Sequence, residues 1–271
     1  MTRSLPFWRP LLFWRRPRIP VLELHGTLTA REGALNLKAM AQPIDRAFRA
    51  ARPGGHLILD IDSPGGSPVQ SDLIASRIRR RAEDRRITVH AVIGEVGASG
   101  GYWLACAADE IHANPMSVVG SIGVVGGGFG FPDLLARAGV ERRLYTSGEN
   151  KARLDPFSPE RPQDVQFVER LMADIHARFK DWVRGRRGAR LKADDARLFD
   201  GSWFLGQHAA ELGLIDGTTD LESLVRQLGG DRARARPFRP SRRRSLLARL
   251  PRLALDAALD AAADRRGRVR I

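Results

Sequence analysis

The sequence holds a single cysteine, Cys106, only four lysines among 45 basic residues, and no long apolar run. Each shortage excludes something. One cysteine rules out an intramolecular disulfide framework and any all-cysteine metal site, and its place in an Ala-rich stretch reads as core packing. The first twenty residues carry two short aromatic-aliphatic patches, but Arg9 and several prolines interrupt them. Nothing there nears the roughly 20 apolar residues that a bilayer-spanning helix needs, and no small-residue cleavage site follows. Neither a transmembrane segment nor a cleavable signal is expected.

Acidic residues are missing only locally. Residues 1–20 carry five Arg and no acid, and residues 231–271 carry thirteen Arg against four Asp, so these two stretches account for the whole net charge of +14. The middle is neutral. Basicity therefore belongs to two appendages, which argues against a nucleic-acid-binding domain. Phe7, Trp8, Phe13 and Trp14 among arginines suit a headgroup interface, and the Arg-rich tail suits an anionic membrane, a nucleic acid or a neighbouring subunit. A solvated extension is the plainer reading of both. The expected organisation is a basic aromatic segment over 1–20, a folded domain over 21–230 and a C-terminal extension over 231–271.

Within 21–230 strands and helices alternate. Val21–Gly26 reads as a strand, 35–49 as a helix that Pro43 starts, His56–Ile61 as a strand buried on both faces, 69–82 as a helix and 87–93 as a strand. Later come a strand at 110–113, a helix at 131–138, a strand at 141–145, a long helix at about 162–184, a short helix and strand within 201–216, and a closing helix at 221–228. Repeated strand–loop–helix units predict right-handed crossovers and an α/β fold with a mostly parallel sheet. Sites in such sheets gather at the carboxyl ends of strands. Two glycine-rich turns fall there, Asp62-Ser-Pro-Gly-Gly-Ser67 and Gly94-Glu-Val-Gly-Ala-Ser-Gly-Gly101.

The second turn lifts Ser99 out between a strand and an Ala/Leu-rich helix. Glycines let backbone approach a bound group, and the helix start offers free N–H groups and partial positive charge. That suits a nucleophilic hydroxyl facing oxyanion donors; a packing turn whose serine caps the helix fits as well. His90 and His112, nearest to Ser99 in sequence, sit on no loop that returns to the turn, and read as packed. Scarce lysine is more telling. Arginine keeps its proton in proteins, whereas a desolvated lysine can lose it and act as a base. Lys38, Lys180 and Lys192 lie on helical faces or approaches; Lys151 alone lies in a glycine-containing loop after the expected strand. A solvated loop residue is the alternative.

Four pieces in order, Asp62-Ser-Pro-Gly-Gly-Ser67, Gly97-Ala-Ser-Gly-Gly-Tyr102, Gly120-Ser-Ile-Gly-Val124 and Ser147-Gly-Glu-Asn-Lys-Ala-Arg-Leu-Asp-Pro-Phe157, resemble the signal peptide peptidase A/SohB family of S49 serine peptidases. The likeness runs from about Val21 to Leu228. It implies a ClpP/crotonase-like fold of repeated ββα and βαβ units with flanking helices, and a Ser/Lys dyad with no metal and no cofactor. Ser99 matches the nucleophile and Lys151 the general base, while Gly65, Gly66 and Gly100 match the oxyanion-hole positions. Ser147 or Ser121 is a candidate for orienting the lysine. The resemblance further implies a peptide substrate with small or apolar side chains, such as signal-peptide remnants or membrane-protein fragments, and a homo-oligomeric ring or dome, with a site that can be assembled across a subunit contact.

Typical members carry an N-terminal transmembrane segment, and none is found here. The expected location is cytoplasmic or peripheral to the inner membrane. The same fold serves crotonase-type acyl-CoA enzymes, which have no use for Ser99 or Lys151, and fold alone does not decide function. The proteolytic Clp subunit places a histidine soon after the nucleophile's helix; Asn114–Val125 offers none. A catalytically silent scaffold is the remaining alternative.

Overall fold

Apolar runs become the strands of one sheet in the computed structural model, which describes residues 17–240. The readings for residues 1–16 and 241–271, including membrane contact through the termini, lie outside the described residues. In chain order the elements are β1 (Arg18–His25), α1 (Leu37–Ala50), β2 (His56–Ser63), α2 (Pro68–Arg85), β3 (Thr88–Ala98), α3 (Gly100–Ala105), β4 (Glu110–Ala113), β5 (Val118–Gly120), α4 (Pro132–Arg137), α5 (Pro162–Arg187), α6 (Asp195–Leu198), β6 (Trp203–Leu205), α7 (Gly206–Glu211), β7 (Gly217–Thr218), α8 (Leu221–Gly229) and β8 (Arg234–Phe238).

The sheet has eight strands in the order β6-β5-β3-β2-β1-β8, with β4 paired to β3 and β7. Every pairing is parallel except β5 with β6. This is the mostly parallel α/β architecture of the ClpP/crotonase-like fold. Alternation sorts the side chains: Leu22, Leu24, Leu57, Leu59, Val89, Ala91 and Ile93 share the main core with residues of α1, α2, α3 and α5. Val21, Ile58 and Val92 face the other way and pack beneath Leu224 and Val225 of α8. Both faces are covered, as a parallel sheet requires.

Three expectations need correction. Pro43 lies inside α1, which is capped by Asn36, whose side chain accepts the Ala39 N–H at 2.9 Å. The domain is wider than 21–230, because β1 starts at Arg18 and β8 pairs with it, Arg18 opposite Arg234 and Leu22 opposite Phe238. The expected strand at 141–145 is absent. Its residues are exposed, with Tyr145 88% accessible, and among the described residues no strand pairs with them to complete a ladder.

The crossovers aim three segments at one place. β3 forks: residues 90–93 pair with β4 and residues 96–98 with β5. Its end therefore passes between Ser63 of β2, opposite Gly97, and Gly120 of β5, opposite Ala98.

Candidate active site

Ser99 sits where β3 stops and α3 starts, with φ 52° and ψ −121°. A side chain seldom holds such a conformation, which costs about 1–3 kcal/mol and persists only when its surroundings over-determine it. Here they do. The Ser99 N–H donates to the Gly120 carbonyl at 2.8 Å, and the Ser99 carbonyl accepts from Trp103 N–H at 3.0 Å. Its hydroxyl makes no capping bond to the helix. The capping alternative therefore fails, and the half-buried hydroxyl stands at a helix entrance, as in a strained strand-to-helix nucleophile elbow.

The first glycine turn lies directly against this elbow. A Cβ on Gly65 would come within 2.6 Å of the Gly100 nitrogen and 2.8 Å of the Ser99 Cβ, and Gly65 itself has φ 97°. Two backbones touch there, so only glycine fits. The Gly65 N–H is engaged by Ser63 Oγ at 3.2 Å, so this glycine supplies close approach and not a donor. Gly66, φ 138°, is bracketed by Leu28: the Leu28 N–H donates to the Gly65 carbonyl at 2.8 Å and the Ser67 N–H to the Leu28 carbonyl at 2.7 Å. Among the described residues the Gly66 N–H has no backbone partner. Gly100 opens α3, where helical geometry leaves its N–H free.

Three residues missed in the sequence hold these turns. Buried Ser63 donates its hydroxyl to the Gly26 carbonyl at 2.7 Å while accepting from Gly65. Ser71 Oγ donates to the Ser67 carbonyl at 3.0 Å and lies where a Cβ on Gly100 would reach, 2.5 Å away. Leu28, fully buried, fills the space below Gly100 and locks Gly66. Ser63 lay within a quoted motif. Leu28 carried no local signal, since its partner lies 38 positions on.

Helix α3 is anchored from behind. Tyr102 OH donates to the Leu214 carbonyl at 2.6 Å, Trp182 Nε1 to the Trp103 carbonyl at 3.0 Å, and Arg186 to the carbonyls of Cys106 and Ala108 at 2.8 and 2.9 Å. Side chains of α5 thus satisfy carbonyls at the end of α3 that the helix itself leaves open. Burial pushes the Tyr102 hydroxyl well above its ordinary pKa and the Cys106 thiol up to about 12. Both stay neutral. Cys106 is packing, as its position suggested.

Lys151 lies elsewhere. It is exposed, in a turn where its N–H donates to the Gly148 carbonyl at 3.2 Å, and among the described residues no hydrogen bond joins it to Ser99. Ser147 is exposed on the same loop, whereas Ser121 follows Gly120, beside the elbow, with φ 51° and its N–H on the Ser202 carbonyl at 2.7 Å. The chain thus brings together Ser99, Gly65, Gly66, Gly100 and Ser121, and leaves Lys151 and Ser147 on an outlying arm.

A model of peptidase family S49 matches residues 81–233, more than half of the chain. The chain belongs to peptidase family S49. The S49 match takes in both Ser99 and Lys151. A putative protease of Synechocystis sp. is 32% identical over 202 residues, covering 74% of this chain and 69% of that protein. A probable protease SohB of Haemophilus influenzae is 28% identical over 205 residues, covering 76% and 56%. A Brucella abortus protein bearing the name Na(+)/H(+) antiporter NhaA is 45% identical over 244 residues, covering 88% of this chain and 33% of its own. The chain thus spans about a third of the length of the Brucella relatives it matches. Among the described residues no helix is long and apolar enough to cross a membrane.

Proposed function

We propose that the chain is a serine endopeptidase in which Ser99 attacks a peptide carbonyl and Lys151 takes its proton. The observation that carries this reading is the elbow, a strained serine with an uncapped hydroxyl pressed against the glycine backbone of a second turn. Oγ bonds to the carbonyl carbon, the oxyanion is received by the N–H groups of Gly66 and Gly100, and Lys151 passes the proton to the departing amine as the C–N bond breaks. Water then attacks the acyl-enzyme ester and Ser99 regains its proton.

A lysine serves as a base near neutral pH only after apolar surroundings or a nearby cation have lowered its pKa. Lys151 is exposed in the single chain. We assign such surroundings to a second copy in a homo-oligomeric ring or dome, with Ser121 beside the elbow to orient the incoming amine. Apolar residues left exposed on the arm support this: Val125, Phe129, Leu134 and Tyr145 are each more than half accessible. Exposed Val69 and Leu73 at the start of α2, and Trp203 opposite Gly120, favour substrates with small or apolar side chains, such as signal-peptide remnants or membrane-protein fragments. The location in keeping with this is cytoplasmic or peripheral to the inner membrane.

A serine-directed fluorophosphonate with mass-spectrometric mapping is the test. The label is expected on Ser99, absent in Ser99→Ala and lost in Lys151→Ala. An assembled protein that leaves Ser99 unlabelled would overturn the peptidase reading in favour of a silent scaffold or an acyl-CoA enzyme.

A further inference from the structure

On the sheet face covered by α8, β3 and β4 bring together His90, Glu110 and His112. The parallel register sets His90 beside Glu110 and Val92 beside His112, so alternation puts all three side chains on one face. His90 Nδ1 lies 3.1 Å from Glu110 Oε2, and His112 Nε2 lies 3.6 Å from the same oxygen. One donor atom from each residue falls within 4.8 Å of the other two. Among the described residues His112 Nε2 is buried with no hydrogen-bond partner, and 3.6 Å is too long to supply one. A buried polar atom without a partner calls for an explanation, and an absent ion is one.

We propose that His90, Glu110 and His112 form a binding site for a divalent transition metal of the zinc class. Two imidazole nitrogens and one carboxylate oxygen are the donors of zinc, whereas calcium and magnesium take oxygen alone. Metal–donor bonds of about 2.0–2.1 Å in a tetrahedron set donors roughly 3.3 Å apart, and the two separations above straddle that value. His90 has support behind it. Its Nε2 lies 3.0 Å from His56 Nδ1. Metal on Nδ1 leaves the proton on Nε2, which donates to His56, the arrangement by which an outer residue orients a ligating imidazole. His90 and His112 side chains are only 4% and 16% exposed, but Glu110 is 52% exposed, so an ion enters from the Glu110 side and a water completes its shell. Such an ion would tie β4 to β3, nine residues upstream of Ser99.

The site is tested on the full-length protein, stripped with chelator and titrated with zinc chloride. Elemental analysis after dialysis is expected to find one zinc per chain, and cobalt(II) in its place to give the visible bands of a low-coordinate ion. Saturation at a hundredfold excess over Kd should raise Tm by about 5–10 °C. Glu110→Gln, at the solvent side and so least disruptive to folding, and His112→Gln are each expected to weaken binding more than a hundredfold. His56→Ala should weaken it by roughly 10–100-fold, while Ser99→Ala leaves it unchanged. Less than 0.2 zinc per chain, on the order of adventitious metal, would overturn the proposal, as would affinity within threefold of the parent in both Gln variants.

Discussion

Ser99 and Gly65 form one unit, because neither backbone could take its position without the other. A methyl group on Gly65 would collide with the Gly100 nitrogen, the Ser99 Cβ and the Ala98 carbonyl, all within 2.9 Å, and all but the Cβ are backbone atoms that cannot swing aside. Gly65→Ala must push the two turns apart and also hold alanine at φ 97°. Since one misplaced oxyanion donor costs about 100–1,000-fold in kcat, the variant should lose at least that much against a fluorogenic apolar peptide. KM should change far less. Circular dichroism and a melting curve check that the fold survives; activity within tenfold of the parent would remove Gly65-Gly66 from the site. The Ser99 turn was legible because its signal is local: glycines flank a serine between a strand and a helix. Leu28 and Ser71 were not, because they act through backbone approach across distant turns. Lys151 showed in the sequence only as a scarce lysine in a glycine-containing loop, and in the fold that loop is exposed.

At the scale of elements, helix α3 depends on what closes behind it. Buried Arg187 at the end of α5 forks onto both carboxylate oxygens of Asp216 at 2.7 and 3.1 Å and onto the Gly213 carbonyl. Asp216 also accepts the Ile111 N–H at 2.7 Å, which joins α5, β4 and the approach to β7. Burial disfavours an ionised Asp216, but the bonds from Arg187 and Ile111 outweigh it and hold the carboxyl below its ordinary range. Arg187→Met leaves that carboxylate without its main partner and should cost about 3–5 kcal/mol in urea unfolding. A depressed carboxyl stabilises the fold fully above its unfolded pKa of about 3.9, and that share vanishes as pH falls through the folded value. The stability gap between the parent and Asp216→Asn should therefore be constant from pH 7 to about 5 and close in more acid solution. A gap that widens on acidification would contradict the assignment. Such ties explain why helices and buried strands were readable while two edges were not. Periodicity marks α2 and α5, but β8 reads as tail because its alternate arginines obscure an edge strand, and 141–145 has strand composition with no ladder to join.

At the scale of the whole molecule, the arm from about residue 123 to 161 turns apolar side chains outward, Val125, Phe129, Leu134 and Tyr145 among them. Two contacts join it to α5, His176 Nε2 donating to the Ile122 carbonyl at its root at 3.0 Å and the Arg153 guanidinium lying 4.4 Å above the Phe167 ring, while the Phe131 N–H closes the arm on itself at the Pro156 carbonyl, 2.6 Å away. An arm held in place with apolar side chains outward suits a head-to-tail contact, in which the patch of one copy meets a different patch on the next and the ring closes on itself. If each site takes Ser99 from one chain and Lys151 from its neighbour, two inactive variants can rescue each other. Ser99→Ala supplies the lysine and Lys151→Ala supplies the serine. Random co-assembly at equal amounts pairs an intact serine with an intact lysine at one contact in four, so about a quarter of parent activity should return in a head-to-tail ring. A dyad formed within one chain allows no such rescue, because every chain in the mixture lacks one of the two groups. Peptide hydrolysis by the co-refolded mixture, compared with each variant refolded alone, distinguishes the two arrangements. Persistent silence of the mixture, with the oligomer intact by light scattering, would place Lys151 over the Ser99 of its own chain and require the arm to fold inward.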